Sequence, residues 1–333
     1  MSPTTIYNKQ YHLQEKIAAG GFAQVYRAID QKNGNSVALK VGLVHTDPGY
    51  AKSIIEEARI LSRTNHPNIV KILPLSRLEQ QPQSLSRPTP QSQDPPPLKS
   101  DVFCARAVEM SGQPYFFVME YLTGGTLELY LKQVTKLTIP EATAIALEIA
   151  RGLRHLHRLG FAHNDLKLEN VVFRQELVLG KATNPVLVDF GIATRVRVQI
   201  EAGSLYVMSP EQLKMARMLI PPEMGNLNDP TKVDIWGIGV LLYRMLSGSL
   251  PFEGRNEKSL TERILNSQPQ PLIGRAMGIN HELDDFIVNG CLAKNPAQRP
   301  TMVELGKLLS RYGEGAVVTT PPGPSSPKRW FGR

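Results

Sequence analysis

The stretch His163-Asn164-Asp165-Leu166-Lys167-Leu168-Glu169-Asn170 carries residue types that can do one coherent job. An acid can take a proton from a hydroxyl. A lysine two residues on can meet a transferring phosphoryl group, and an amide three further can hold a metal ion. Downstream, Val188-Asp189-Phe190-Gly191 ends an apolar run in a second acid and a glycine. The combination suggests phosphoryl transfer, in which positioning and charge neutralisation supply most of the catalysis.

Several elements must position such a site. From Tyr11 to Leu43 the pattern reads strand, glycine turn, strand, turn, strand, with Ala19-Gly20-Gly21-Phe22 as a small-residue loop. Taken alone, that loop reads as an ordinary hairpin turn before it reads as a phosphate cradle. Ser36-Val37-Ala38-Leu39-Lys40-Val41 reads as a buried strand with one lysine, which is costly unless an anion or carboxylate pairs with it. The segment from Ala51 to Thr64 has helical periodicity, with Ile54, Ala58 and Leu61 on one face. Glu57 lies beside that face, within reach of Lys40 or simply a surface charge.

After a turn at His66-Pro67-Asn68, the tract 76–100 is rich in Gln, Pro and Ser and is expected to be a disordered insertion inside a sheet. Strands are expected again at Val102–Val108 and Tyr115–Met119, followed by a hinge at Glu120–Gly125. The remainder is expected to be mainly helical: Thr126–Val134, Pro140–Leu159, an apolar helix over Asp234–Ser247, and a last helix opened by a Thr301/Glu304 capping box. From Gly313 the Gly, Pro and Ser content predicts a mobile tail. His155 and His157 are two apart on a helix and make a poor metal pair.

At 333 residues, 41% hydrophobic and 20% charged, the chain can bury a substantial core as one large domain or two lobes. No apolar run is long enough to span a bilayer, and Met1–Thr5 opens no secretory signal. Two cysteines, Cys104 and Cys291, exclude a disulfide framework and point to the reducing cytoplasm. The net charge of +8 is read as a solvated surface; no basic run interleaved with aromatics supports nucleic-acid binding.

In order and spacing these stretches resemble the protein kinase family, of the eukaryotic-type (Hanks-type) serine/threonine branch, over roughly Tyr11 to Tyr312. The resemblance implies an α+β, bilobal fold. An antiparallel-sheet N-lobe with one main helix would span residues 11–122, a mainly helical C-lobe 123–312, and a flexible tail 313–333. It implies ATP and Mg²⁺ as cofactors and protein substrates as partners. Ile17, Ala18, Ala19, Gly20, Gly21, Phe22 and Val25 would surround the phosphate-covering loop. Ala38, Met119, Glu120 and Leu122 would receive the adenine, with Met119 as gatekeeper, and Lys40 would bind phosphates and pair with Glu57. Asp165 would accept the hydroxyl proton, Lys167 would steady the γ-phosphate, and Asn170 and Asp189 would hold the metal. Ser204 and Glu211 would belong to the substrate platform, Glu211 pairing with Arg299. Asp234-Ile235-Trp236-Gly237 would brace the catalytic loop.

The chain departs from the family pattern at three positions. Ala18 and Ala23 replace the outer glycines of the loop, and Asn164 replaces an arginine that reads an activation-loop phosphate. The expected function is an ATP-dependent serine/threonine protein kinase that needs no activation-loop phosphorylation; the alternative is a catalytically silent nucleotide-binding scaffold. Met208-Ser209-Pro210-Glu211-Gln212 is similar to bacterial members, and the Ala19–Ala23 loop resembles a eukaryotic group linked to membrane trafficking. The insertion 76–100, residues 213–230 and the tail are candidate docking segments.

Overall fold

The strand-and-turn pattern between Tyr11 and Leu43 folds as three adjacent strands of one antiparallel sheet: β2 (Tyr11–Ala19), β3 (Ala23–Asp30) and β4 (Ser36–Gly42), preceded by β1 (Thr5–Ile6). The computed structural model describes residues 5–7, 9–43, 49–75, 103–190, 205–217 and 229–319, the side chains of 49–51 excepted. They fall into two units, one of residues up to Arg63 with Lys71–Tyr121, the other of Thr64–Val70 and the chain from Leu122 onward.

In the first unit, β4 pairs with β7 (Tyr115–Glu120), and β7 also carries β5 (Ile72–Leu73) and β6 (Cys104–Arg106). The expected Val102–Val108 strand is thus three residues long. The insertion 76–100 lies outside the described residues, and the sheet resumes on both sides of it. One face of the sheet packs Leu13, Val37, Leu39, Val41, Phe116 and Val118 into a core. Helix α1 (Gly49–Leu61) contributes the expected apolar face, with Ile54, Ala58 and Leu61 buried.

The second unit is mainly helical. Thr126 caps α2 (Leu127–Val134), its hydroxyl accepting the Leu129 N–H. Thr138 and Glu141 form a capping box on α3 (Ile139–Arg158), whose Ile145, Ile149, Leu153 and Leu156 are buried as the 3.6-residue period predicts. A hairpin joins β8 (Val171–Phe173) to β9 (Pro185–Leu187). Then come α4 (Pro210–Ala216), α5 (Thr231–Ser247), α6 (Glu257–Asn266), α7 (His281–Asp285) and α8 (Met302–Gly313), the last opened by the expected Thr301/Glu304 box. Helix α5 is buried almost all round, and α3 packs against α5 and α8. Among the described residues no helix is long and apolar enough to cross a membrane.

The structure corrects two boundaries. Residues 64–70, expected in the sheet lobe, belong to the helical unit. Asn68 Nδ2 donates to the Pro185 carbonyl at 2.9 Å and to Glu148 Oε2 at 3.0 Å, and its carbonyl accepts the Leu187 N–H. The tail, expected to be mobile from Gly313, is docked as far as Thr319. A Cβ on Gly313 would meet the Ala144 nitrogen at 2.4 Å, so only glycine lets the chain turn against α3 there. Val318 is buried and pairs with Gly180 and Lys181 in the hairpin loop before β9, and the Thr319 N–H donates to Glu141 Oε1 at 2.7 Å.

Glu141 therefore both caps α3 and holds the tail. Burial pushes its carboxyl up, but hydrogen bonds from Thr319 and Thr138 outweigh this and hold it below the ordinary value of 4.5. Its contribution to stability is present above that value and lost as pH falls through the lowered one. Glu141→Gln is expected to cost about 1–2 kcal/mol in urea unfolding at neutral pH. The gap to the unmodified protein should close in acid; a gap that persists there would show that the charge is not involved.

Candidate active site

In the first unit, the loop after β2 closes as a hairpin: the Gly20 N–H donates to the Ala23 carbonyl at 2.9 Å. A Cβ on Gly21 would meet nothing within 4 Å, and neither glycine takes a positive φ. Among the described residues, then, the fold does not require glycine at either position. Ile17, Ala23, Val25 and Ala38 are buried, Ala18 and Phe22 half-buried, and Ala19 and Gly20 exposed. Register shifts around Glu15 and Lys16 leave Ala18 opposite Val25 and Ala19 opposite Gln24.

Lys40 lies on β4, a strand buried along nearly its whole length. Its Nζ donates to both oxygens of Glu57 on α1, at 2.8 and 2.7 Å. With 8% and 2% of their surfaces exposed, neither charge could remain there alone. Met119 and Glu120 end β7. Met119 faces Ala38 and Ile72 in register, and Glu120 exchanges backbone and side-chain hydrogen bonds with Lys71.

In the second unit, the residues expected to act on the phosphoryl group converge. Asp165 Oδ2 lies 3.0 Å from Lys167 Nζ and accepts from Asn170 Nδ2 at 3.2 Å. Asn170 Nδ2 also donates to the Asp165 carbonyl at 2.9 Å, so its Oδ1 is the atom left to coordinate a cation. The Val188 N–H donates to the Asn170 carbonyl at 3.0 Å, which brings Asp189 alongside. An amide oxygen and a carboxylate suit a hard cation such as Mg²⁺, which completes its shell with water and phosphate oxygens. Burial would strip Lys167 of its proton, but the charge of Asp165 and its hydrogen bond, with Asp189 and Glu169 behind them, raise its pKa above the ordinary value. Lys167 is therefore a stable cation for an anionic ligand.

A buried carboxylate holds this loop in place. Asp234, with no exposed surface, accepts the N–H groups of His163 at 2.9 Å and Asn164 at 2.8 Å, and His157 Nε2–H at 2.7 Å. His163 Nε2 lies 3.1 Å from the Val188 carbonyl and its Nδ1 lies 3.3 Å from the Asp165 nitrogen, so its ring bridges the two stretches. Phe190 is fully buried with its ring 4.9 Å from that of His163. Asn164 and Asp189 sit at φ 64° and 63°. Asn and Asp are among the side chains that best tolerate this left-handed region, which gives Asn164 a conformational reason to stand where it does.

Glu211 does not join the catalytic cluster. At the start of α4 it takes both forks of Arg299, at 2.6 and 2.7 Å, while Arg299 also donates to the carbonyls of Ala293 and Lys232. Leu122 is buried. Ser204, the segment 192–202 with Thr194, and residues 218–228 lie outside the described residues. Three participants were missed in the sequence. His157 was discounted as a metal ligand, yet it braces Asp234. Gln212 caps α4 from the Ser209-x-x-Gln212 spacing, a legible signal, and its Nε2 donates to the Asn164 carbonyl at 2.8 Å. Tyr206 binds Glu169, for which no spacing rule exists.

Asp234→Asn keeps the shape but turns a donor toward donors. It is expected to cost about 2–4 kcal/mol in chemical unfolding. An unchanged midpoint would show that this carboxylate does not hold the loop.

Comparison with known proteins follows the same outline. A family model described as "Protein kinase domain" matches residues 11–308. Sperm motility kinase 3A of Mus musculus is 25% identical over 300 residues, 89% of this chain and 48% of that protein. Serine/threonine-protein kinase PknB of Mycobacterium tuberculosis is 26% identical over 325 residues, 96% of this chain and 46% of that protein. The chain spans about half the length of these curated relatives. With a family model matched along most of its length, and with the antiparallel sheet unit and helical unit that such a domain has, the chain belongs to the protein kinase family.

Proposed function

We propose that the chain is an active serine/threonine protein kinase that transfers the γ-phosphoryl group of ATP to protein hydroxyls. The observation that carries this reading is the convergence of Lys167 and Asn170 on the Asp165 carboxylate, with Asp189 held alongside. A scaffold that only bound nucleotide would have no need of a lysine paired to a loop carboxylate at 3.0 Å.

Asp165 orients the acceptor hydroxyl and takes its proton as the oxygen bonds to the γ-phosphorus and the bond to the β-phosphate oxygen breaks, releasing ADP. Lys167 offsets charge on the transferring group. Lys40, kept in place by Glu57, meets the nucleotide phosphates. Ile17, Ala18, Ala19, Gly20, Gly21, Phe22 and Val25 cover them, and Ala38, Met119, Glu120 and Leu122 receive the adenine. Asn170 and Asp189 would hold Mg²⁺, and the ion would supply neutralisation of negative charge on the phosphate oxygens. Ser204 and Glu211 serve the protein-substrate platform, Glu211 through its pair with Arg299. Lysine two residues after the acid is the serine/threonine pattern, in keeping with the names of the relatives.

The same reading extends to regulation. Position 164 carries no cation to receive a phosphate, and its carbonyl is already occupied by Gln212. We infer activity without activation-loop phosphorylation.

Incorporation of γ-labelled phosphate into a basic protein substrate with Mg²⁺ tests the reading. Asp165→Ala is expected to lower the rate by about 10²-fold or more. No label, together with a thermal shift on adding ATP and Mg²⁺, would favour the nucleotide-binding scaffold. Label on a small metabolite and not on protein would favour a small-molecule kinase. Thr194→Ala is expected to retain activity within about twofold, a barrier change under about 0.5 kcal/mol, because the inference gives its hydroxyl no phosphate to carry; loss of activity would overturn the regulatory inference.

A further inference from the structure

Downstream of Ser204 the chain is tied to the catalytic loop at two points that flank Asp165. On one side Gln212 Nε2 donates to the Asn164 carbonyl at 2.8 Å. On the other, the Tyr206 hydroxyl bonds to Glu169 Oε2 at 2.8 Å and Oε1 at 3.1 Å. Tyr206 is the middle residue of a single 3₁₀ turn, Leu205–Val207, whose two outer residues are buried. The segment is therefore anchored by apolar packing on both sides of Tyr206, and the hydroxyl fixes where that anchored turn lies against residue 169. Glu169 sits between Lys167 and Asn170, so any shift of the turn is felt next to the residues that handle phosphate and metal.

We propose that Tyr206, acting through Glu169, is a positioning residue that holds the turn after Ser204 in register with Asp165 and so sets the affinity for protein substrate. The inference rests on the protein-kinase reading above. It names a tie made by an uncharged hydroxyl and a carboxylate already in the chain, where the absent arginine at position 164 would have needed a phosphate. A hydroxyl donating to a carboxylate makes a charge-assisted hydrogen bond, stronger than a neutral one. Removing the hydroxyl takes one donor from Glu169 and leaves the ring to pack.

Steady-state kinetics with a protein substrate, run beside amide hydrogen exchange, tests the idea. Tyr206→Phe is expected to raise KM for protein substrate about tenfold, the scale of one such bond, with KM for ATP unchanged. Glu169→Ala should match it, Glu169→Gln should retain most of the affinity because its amide oxygen still accepts, and Tyr206→Phe/Glu169→Ala should be no worse than either alone. A protein-substrate KM that stays constant or falls in Tyr206→Phe overturns the proposal. A parallel rise in both KM values does the same, because it marks a general structural role.

Exchange is read without ATP or turnover, so it separates a failed tie from a failed kinase reading. Faster exchange at residues 205–208 of Tyr206→Phe, with α3 and α5 unchanged, supports the tie even in a protein that transfers no phosphate. Unchanged protection at 205–208 overturns it.

Discussion

A carboxylate with no exposed surface and three donors fixes the geometry on which the second unit depends. Asp234 projects from the first turn of α5, a helix buried almost all round, and accepts two consecutive backbone N–H groups at His163 and Asn164. Consecutive N–H groups can point at one acceptor only if the backbone turns sharply, and Asn164 supplies the turn with a φ of 64°. The strained turn is held because a buried ion left without these donors would cost more than the strain. Gly237, one helical turn further along α5, completes the arrangement: a Cβ there would lie 2.8 Å from the Cβ of Leu166. Helix and loop therefore approach as closely as their backbones allow, and Asp165 stands between two fixed neighbours.

Other buried charges follow the same logic. Lys40 and Glu57 satisfy one another in the first unit, and Glu211 and Arg299 do so in the second. Each pair joins residues far apart in sequence, and in each one a lone partner would be an uncompensated charge. Their role is to make one arrangement of strand and helix, or of α4 and the turn before α8, far better than its alternatives. Arg299 adds a further constraint, since its guanidinium also lies over the Trp236 ring at 5.1 Å.

Much of this was legible from spacing. The strand-and-turn order of β2 to β4, the apolar stripe of α3, the Thr301/Glu304 box and the order of Lys40, Glu57, Asp165, Asn170 and Asp189 are local or ordinal signals, and the described structure carries each element. The misses share one cause. His157 looked like one of two poorly spaced histidines because its partner is 77 residues away, and Tyr206 looked like an unremarked aromatic because its partner is 37 residues upstream. The Gly313–Thr319 tail has the composition of a mobile segment, but Val318 finds a hairpin loop and Thr319 finds an unused glutamate oxygen. Composition reports what a segment can bury by itself and is blind to a surface already built by the rest of the chain.

By itself, then, the sequence determined the class of elements, the chemical types at the site and the family, because hydrophobic period, capping and motif order are properties of the chain read along its length. Tertiary structure alone decided which unit claims residues 64–70, that Asn164 is tied through its backbone to Asp234 and Gln212, and that Tyr206 and Gln212 bond to the loop around Asp165 from both sides. These outcomes turn on which buried donor meets which acceptor. A hydrogen bond worth about 1 kcal/mol when made, and more when left unmade, is settled only once packing has brought distant groups within about 3 Å.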